Sequence, residues 1–160
     1  MPILDRLDHL HRAKAIEGDL TFYSVYTAGL AGERFLRALK DDGKIMGARC
    51  TKCAATFVPG RLYCERCFAE IDPLSWFDAG TAGTVHTFTV MHIDLDGKAL
   101  TDPRVMAFVE MGESSGGIVH YLGDVDPNDV FIGMKVEAVF KPSGERTGSI
   151  MDIVYFRPLG

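Results

Sequence analysis

The sequence predicts a mainly β protein with an α-helical N-terminus, and three observations carry that reading. Apolar residues recur at helical spacing only before residue 40. Two Cys-x-x-Cys pairs, separated by ten residues, stand near the middle of the chain. From residue 72 onward, short segments of alternating apolar and polar residues are divided by turn residues, with no room for helical crossovers.

The helical start comes first. Ile3, Leu4, Leu7 and Leu10 fall on one helical face, and Gly18 can end that helix. Leu20 to Tyr26 is a short β-rich run. Leu30, Phe35, Leu36 and Leu39 mark a second helix, which Asp41-Asp42-Gly43 stops. These faces are too small to make a core alone, so they must pack on the rest of the chain or on a partner. Residues 1–43 are read as a helical region.

Residues 44–71 hold all four cysteines of the 160-residue chain. Two residues between Cys50 and Cys53, and between Cys64 and Cys67, let both thiolates of a tight turn reach one metal. Two such knuckles make a tetrahedral sulfur site that suits a closed, structural Zn²⁺. The large apolar residues between them are Phe57, Val58, Leu62 and Tyr63, each contributing on the order of 1.5–3 kcal/mol on burial. Structural zinc contributes roughly 10–16 kcal/mol in comparable modules, so the metal dominates folding here. An iron site shares the ligand set, and disulfides or a redox pair are the other readings. If all four cysteines ligate metal, none is left as a nucleophile.

Residues 72–160 are read as strands at 74–78, 83–92, 105–111, 117–122, 134–141 and 149–157. Met134, Val136, Ala138 and Phe140 share one face, with Lys135, Glu137 and Lys141 on the other. Antiparallel strands this short suggest a small closed barrel. Gly80 and Gly83 are expected to bend its long first strand. Trp76 and the phenylalanines at 77, 88, 108, 131, 140 and 156 are expected in the core.

Charge divides the chain. Residues 1–71 carry eleven Lys/Arg against nine Asp/Glu, whereas 72–160 carry six against thirteen, a net of −7. An acidic barrel repels a polyanion, which argues against nucleic acid. No window approaches a membrane span, and the acidic N-terminus lacks the apolar core of a signal peptide, so the expected location is the cytoplasm.

Other motifs in the chain are weaker. Gly112-Glu113-Ser114-Ser115-Gly116 matches G-x-S-x-G, but it lies between two expected strands and reads as a hairpin loop. Asp94-Leu95-Asp96-Gly97 and Asp124 to Asp129 lack the remaining ligands of calcium loops and read as solvated turns. His86 and His92 are expected to share a strand face with Phe88 and Val90, too far apart for one metal. Neither they nor His120 suggest a catalytic arrangement.

One ordered series of segments carries a family resemblance. Thr27-Ala28-Gly29 leads into a helix ending at Leu39. Gly47-Ala48-Arg49-Cys50-x-x-Cys53 enters the cysteine module, and Pro59-Gly60-Arg61-x-x-Cys64-x-x-Cys67 leaves it. Gly83-Thr84-Val85-His86-Thr87-Phe88-Thr89-Val90 and Ile132-Gly133-Met134-Lys135-Val136-Glu137 follow. Residues 27–157 thereby resemble the acyl-CoA-associated proteins built from a rubredoxin-like zinc ribbon and an OB-fold. The chain departs from them in having Ala54 and Phe68 where Gly usually follows each knuckle, and Gly60 where a second Pro is usual.

The resemblance implies a ribbon at 44–71, a five- to six-stranded OB-fold barrel at 72–160, and an accessory role. Such proteins pair with thiolase-like enzymes, for example benzylsuccinyl-type acyl-CoA thiolases, or with acyl-CoA aldolases or hydratases. The partner then supplies the catalytic cysteine, histidines and CoA pocket, and this chain supplies no catalytic residue. Cys50, Cys53, Cys64 and Cys67 would hold the zinc. Lys52, Arg61 and Arg66 flank the knuckles and would contact CoA phosphates or dock the partner. A nucleic-acid binder and a free-standing enzyme are the competing readings.

Overall fold

The computed structural model describes residues 26–94 and 96–160. The expected first helix and the 20–26 β-rich run lie outside the described residues, apart from Tyr26. One helix, α1 (Gly29–Asp41), precedes a three-stranded sheet and a five-stranded barrel. No helix among the described residues is long and apolar enough to cross a membrane.

The small sheet runs β2 (Thr56–Phe57), β1 (Met46–Arg49), β3 (Trp76–Asp78), with both neighbours antiparallel to β1. The 74–78 segment was expected in the barrel. It instead opens as a 3-10 turn, Pro73–Ser75, capped by the Asp72 side chain, and its strand pairs with β1. The chain then breaks at Gly80, whose φ of +74° ends the extended run. Gly80 and Gly83 therefore do not bend one long strand. Gly83 serves a different purpose: a Cβ there would lie 2.5 Å from Val109 Cγ1 and 2.7 Å from the Glu110 carbonyl oxygen, so only glycine lets the strands cross this closely.

The barrel comprises β4 (Ala82–Ile93), β5 (Ala99–Glu110), β6 (Gly117–Leu122), β7 (Lys135–Phe140) and β8 (Ile153–Pro158). Its strand order is β4-β5-β6-β8-β7, and β7 pairs back onto β4 to close it. All pairings are antiparallel except the short parallel contact of β6 with β8 at Leu122 and Phe156. This mostly β chain, with one described helix, a ribbon and then an OB-fold barrel, is the architecture expected. The core runs from Phe35 and Leu39 on α1, through Ile45 and Val58, into Val85, Val109, Val136, Ile153 and Phe156. The apolar face of α1 is thus covered by its own chain, and Leu30 stays 73% exposed.

Two local features depart from simple alternation. A β-bulge between Val85 and Thr87 shifts the register of β4 against β5. Val85 points inward before the bulge, and Phe88 and Val90 pack on the core after it. His86, the extra residue, is turned out, so it does not share their face. The aromatic set divides as well. Phe156 is fully buried, and Phe77, Phe88 and Phe140 pack against the barrel core. Phe131 is 58% exposed, and Phe108 lies on the barrel exterior with its ring edge-on to His86.

Candidate metal centre and its surroundings

Each knuckle is built by the same backbone pattern. In the first, Cys50 N–H donates to the Ala55 carbonyl and Ala54 N–H donates to the Cys50 carbonyl, both at 2.8 Å. In the second, Cys64 N–H donates to Ala69 and Phe68 N–H to Cys64, again at 2.8 Å. Closing such a turn needs a left-handed residue after the second cysteine. Ala54 and Phe68 adopt it, with φ of +60° and +59°. Each costs about 1–2 kcal/mol relative to glycine, because Cβ crowds the following carbonyl. The knuckle therefore keeps its shape without glycine, at a strain the rest of the module must offset.

The four sulfurs converge. Cys50 Sγ lies 3.6 Å from Cys67 Sγ and Cys53 Sγ 3.5 Å from Cys64 Sγ, and all four lie within 4.8 Å of one another. Tetrahedral zinc with bonds of ~2.3 Å needs sulfurs ~3.8 Å apart, so the donor set fits that ion. Cys50 and Cys64 are buried among Ala48, Phe57 and Ile71. The N–H groups of Cys53 and Lys52 draw the Cys50 thiol down to about 7, against the opposing effect of burial. At Cys67 the Ala69 N–H acts in the same sense, but burial and the neighbouring sulfurs outweigh it and raise that thiol to about 11. A divalent cation in place of the thiol protons would satisfy four sulfurs held this close together.

The cations around the knuckles differ in their surroundings. Lys52 and Arg66 are exposed. Arg61 is not free: it pairs with Glu65 and lies over the Phe57 ring, 5.2 Å from its centroid. Gly60, which replaces the usual second proline, sits under Trp76. A Cβ there would come within 2.6 Å of the indole ring. Arg34 of α1 caps the same indole at 4.7 Å.

The G-x-S-x-G segment is a loop between β5 and β6 that fastens the ribbon to the barrel. Ser115 N–H donates to the Thr56 carbonyl at 2.8 Å, and the Thr56 hydroxyl donates to the Glu113 carbonyl at 3.3 Å. The Ser114 hydroxyl is spent on the Met111 carbonyl at 2.7 Å. Asp94 and Asp126 use their carboxylates to accept N–H groups of their own turns. His86 Nδ1 stands 3.2 Å from Glu110. His120 is buried in the barrel against Phe156 and Tyr121, with neither ring nitrogen hydrogen-bonded.

Sequence reasoning missed Asp152. Its side chain is fully buried and accepts the N–H groups of Thr147, Gly148 and Ser149 at 2.9, 2.7 and 3.1 Å. That carboxylate shapes the β7–β8 loop on which α1 rests, with Gly148 against Leu36 and Lys40. A Ser-x-x-Asp capping box, Ser149 to Asp152, was the readable signal.

Residues 37–72 match the family model of the ChsH2 rubredoxin-like zinc ribbon domain, and residues 76–141 that of the ChsH2 C-terminal OB-fold domain. A DUF35 domain-containing scaffold protein of Methanocaldococcus jannaschii is 32% identical over 108 residues, 68% of this chain and 75% of that protein. The chain belongs to the DUF35 family. A second DUF35 scaffold protein, from Methanothermobacter thermautotrophicus, is 29% identical over 108 residues, covering 68% and 80%. Among solved structures, a DUF35 protein of unknown function from Sulfolobus solfataricus superposes with a TM-score of 0.61 and 29% identity, over 81% of this chain and 84% of that one. The Ltp2-ChsH2(DUF35) aldolase superposes with a TM-score of 0.57 over 78% and 91%, and at 23% identity shows the shared fold. The DUF35 ribbon and barrel described here thus occur together in its relatives.

Proposed function

We propose that this DUF35 chain is a non-catalytic accessory subunit of an acyl-CoA enzyme that makes or breaks a carbon–carbon bond, with a thiolase-like catalytic subunit as the first expectation. The observation that carries the reading is the convergence of all four cysteines into one cluster, with Cys50 and Cys64 buried and Cys53 and Cys67 partly so. Acyl transfer through a thioester needs an activated thiol and an oxyanion hole. With Cys50, Cys53, Cys64 and Cys67 holding one structural Zn²⁺, the chain offers no such thiol. Among the described residues no histidine hydrogen-bonds a serine: His86 is exterior beside Glu110, the His120 ring nitrogens have no partner, and the Ser114 hydroxyl bonds the Met111 carbonyl. Similarity to DUF35 scaffold proteins supports the same reading.

An aldolase partner is the second reading, favoured by the likeness to the Ltp2-ChsH2(DUF35) aldolase. In either case the proposal gives Lys52, Arg61 and Arg66, beside the knuckles, contacts to CoA phosphates or to the partner, with Arg61 also paired to Glu65. If Lys52→Ala and Arg61→Ala leave both assembly and the apparent KM for acyl-CoA unchanged, that role is wrong.

Reconstitution tests the whole. The co-purifying acyl-CoA enzyme alone, this chain alone and the two together are assayed with acyl-CoA and free CoA. The mixture is expected to gain activity or stability over the partner alone, and this chain alone to turn nothing over. A partner fully active and stable without the chain would refute the accessory role; turnover by the chain alone would refute the non-catalytic one.

A further inference from the structure

The outer face of β5 and β6 is apolar where an antiparallel sheet normally meets water with polar side chains. On β5, Val105, Ala107 and Val109 are buried, so Met106 and Phe108 stand outside. On β6, Ile118, His120 and Leu122 are buried, so Val119 and Tyr121 stand outside. The register puts Phe108 opposite Val119 and Met106 opposite Tyr121. On β4, past the bulge, Thr87 faces Phe108 and Thr89 faces Met106. Val119 is 59% exposed and Ile93, at the end of β4, is 60% exposed. Met91, Ile93, Leu100, Met106 and Tyr121 line a groove of about 400 Å³ at one end of this face.

Charge selects the occupant. Asp94 and Asp96 line that groove together with one cation, Arg104, which leaves its charged lining net acidic, and Glu110, paired with His86, closes the opposite end of the face. The unit from residue 72 onward carries a net of −7. A second copy would bring a like charge against it, and a polyanion would be repelled. An apolar centre with a charged rim is the anatomy of a protein interface.

We propose that the outer face of β4, β5 and β6, centred on Met106, Phe108, Val119 and Tyr121, docks a protein whose own apolar patch is edged by Lys and Arg. This rests on the accessory reading, and assigns the catalytic subunit to the barrel face rather than to α1.

The test uses the full chain and the acyl-CoA enzyme that co-purifies with it and is identified by mass spectrometry. Affinity is measured by titration calorimetry for the unmodified chain, Val119→Lys, Thr87→Lys and, on α1, Leu30→Lys. Val119 and Thr87 are exposed, so these variants should keep their zinc and melting temperature. Each barrel variant is expected to weaken binding by roughly 100-fold, as for a charge placed in an interface centre. Asp94→Lys with Asp96→Lys should slow association roughly tenfold and flatten its salt dependence. Binding kept in Val119→Lys and Thr87→Lys, or lost instead in Leu30→Lys, would overturn the face and leave the accessory reading standing. No complex with the unmodified chain would overturn both. Self-association of the chain in sedimentation, or binding of an oligo-dT 20-mer, abolished by Val119→Lys would give the face to another occupant and overturn the proposal.

Discussion

Gly116 is pressed against Val58: a Cβ on Gly116 would lie 2.9 Å from the Val58 carbonyl oxygen. The glycine also has a φ of +99°, which L side chains rarely adopt. Val58 belongs to the ribbon hairpin and Gly116 to the β5–β6 loop, so this contact fixes how the ribbon sits on the barrel. Gly116→Ala should cost about 2–3 kcal/mol, combining backbone strain with displacement of the hairpin. Gly112 is the control. It too has positive φ, but nothing lies within 4 Å of its Cβ position, so Gly112→Ala should cost only about 1 kcal/mol. Denaturant melts of both variants check the difference, and equal losses would remove the role of the contact.

The purified chain should contain about one zinc and little iron by elemental analysis. Cys64→Ser should lose the metal and expose residues 44–71 to protease, while the barrel stays folded. The ribbon cluster of Ala48, Phe57 and Ile71 is too small to hold the module without the metal. An unchanged digestion pattern in zinc-free protein would contradict this. Ala54→Gly should act in the other direction. It relieves a left-handed alanine and should stabilise the knuckle by about 1 kcal/mol, seen as slower zinc release to a chelator.

His120 should make stability fall in mild acid. Burial lowers its pKa; backbone groups of Ile150 and Tyr121 offset this in part, but neither reaches hydrogen-bonding geometry. The unfolded chain therefore binds a proton at higher pH than the folded barrel does. Stability is full above the ordinary histidine pKa of about 6.5 and is lost as pH falls below it toward the lowered folded value. His120→Leu should remove that slope and add about 1–2 kcal/mol at pH 7, because no polar nitrogen then lies unpaired in the core. A wild-type melting temperature that is flat from pH 7 to 5 would refute the assignment.

Asp152 sets a second, more acid limit. Burial raises its pKa, but the N–H groups of Thr147, Gly148 and Ser149 and the Thr147 hydroxyl together outweigh burial and lower it. The stabilisation is present above the ordinary carboxyl pKa of about 3.9 and disappears as pH falls through the lowered folded value. Asp152→Asn should cost about 1–3 kcal/mol at pH 7, since it turns a charged acceptor of several N–H groups into a neutral amide. Because α1 rests on this loop, hydrogen exchange should accelerate around Phe35 and Leu39. A variant with unchanged exchange in α1 would separate the loop from the helix.

What the sequence determined by itself are features written in local spacing. Cys50-x-x-Cys53 and Cys64-x-x-Cys67 specify a sulfur cluster because each knuckle closes through hydrogen bonds within six residues. The alternation of Met134 to Phe140 and of Gly117 to Leu122 specifies strands whose inward residues are the ones buried. The ordered segments from Thr27 to Glu137 also sufficed to indicate the family. What only the tertiary structure decided depends on register and on contacts between distant segments. Trp76–Asp78 joined β1 because strand partners are not encoded in the strand itself. The bulge at His86 reversed the parity on which its facing had been counted, since one inserted residue flips a period of two. Phe108 has the composition of a core residue, but closure of the barrel placed it outside, opposite Val119. The position of Arg61 over the Phe57 ring is likewise a contact of the folded hairpin. The Asp152 capping box was written locally, in Ser149-x-x-Asp152, but only the fold buried that carboxylate, at a cost in desolvation that the motif does not reveal.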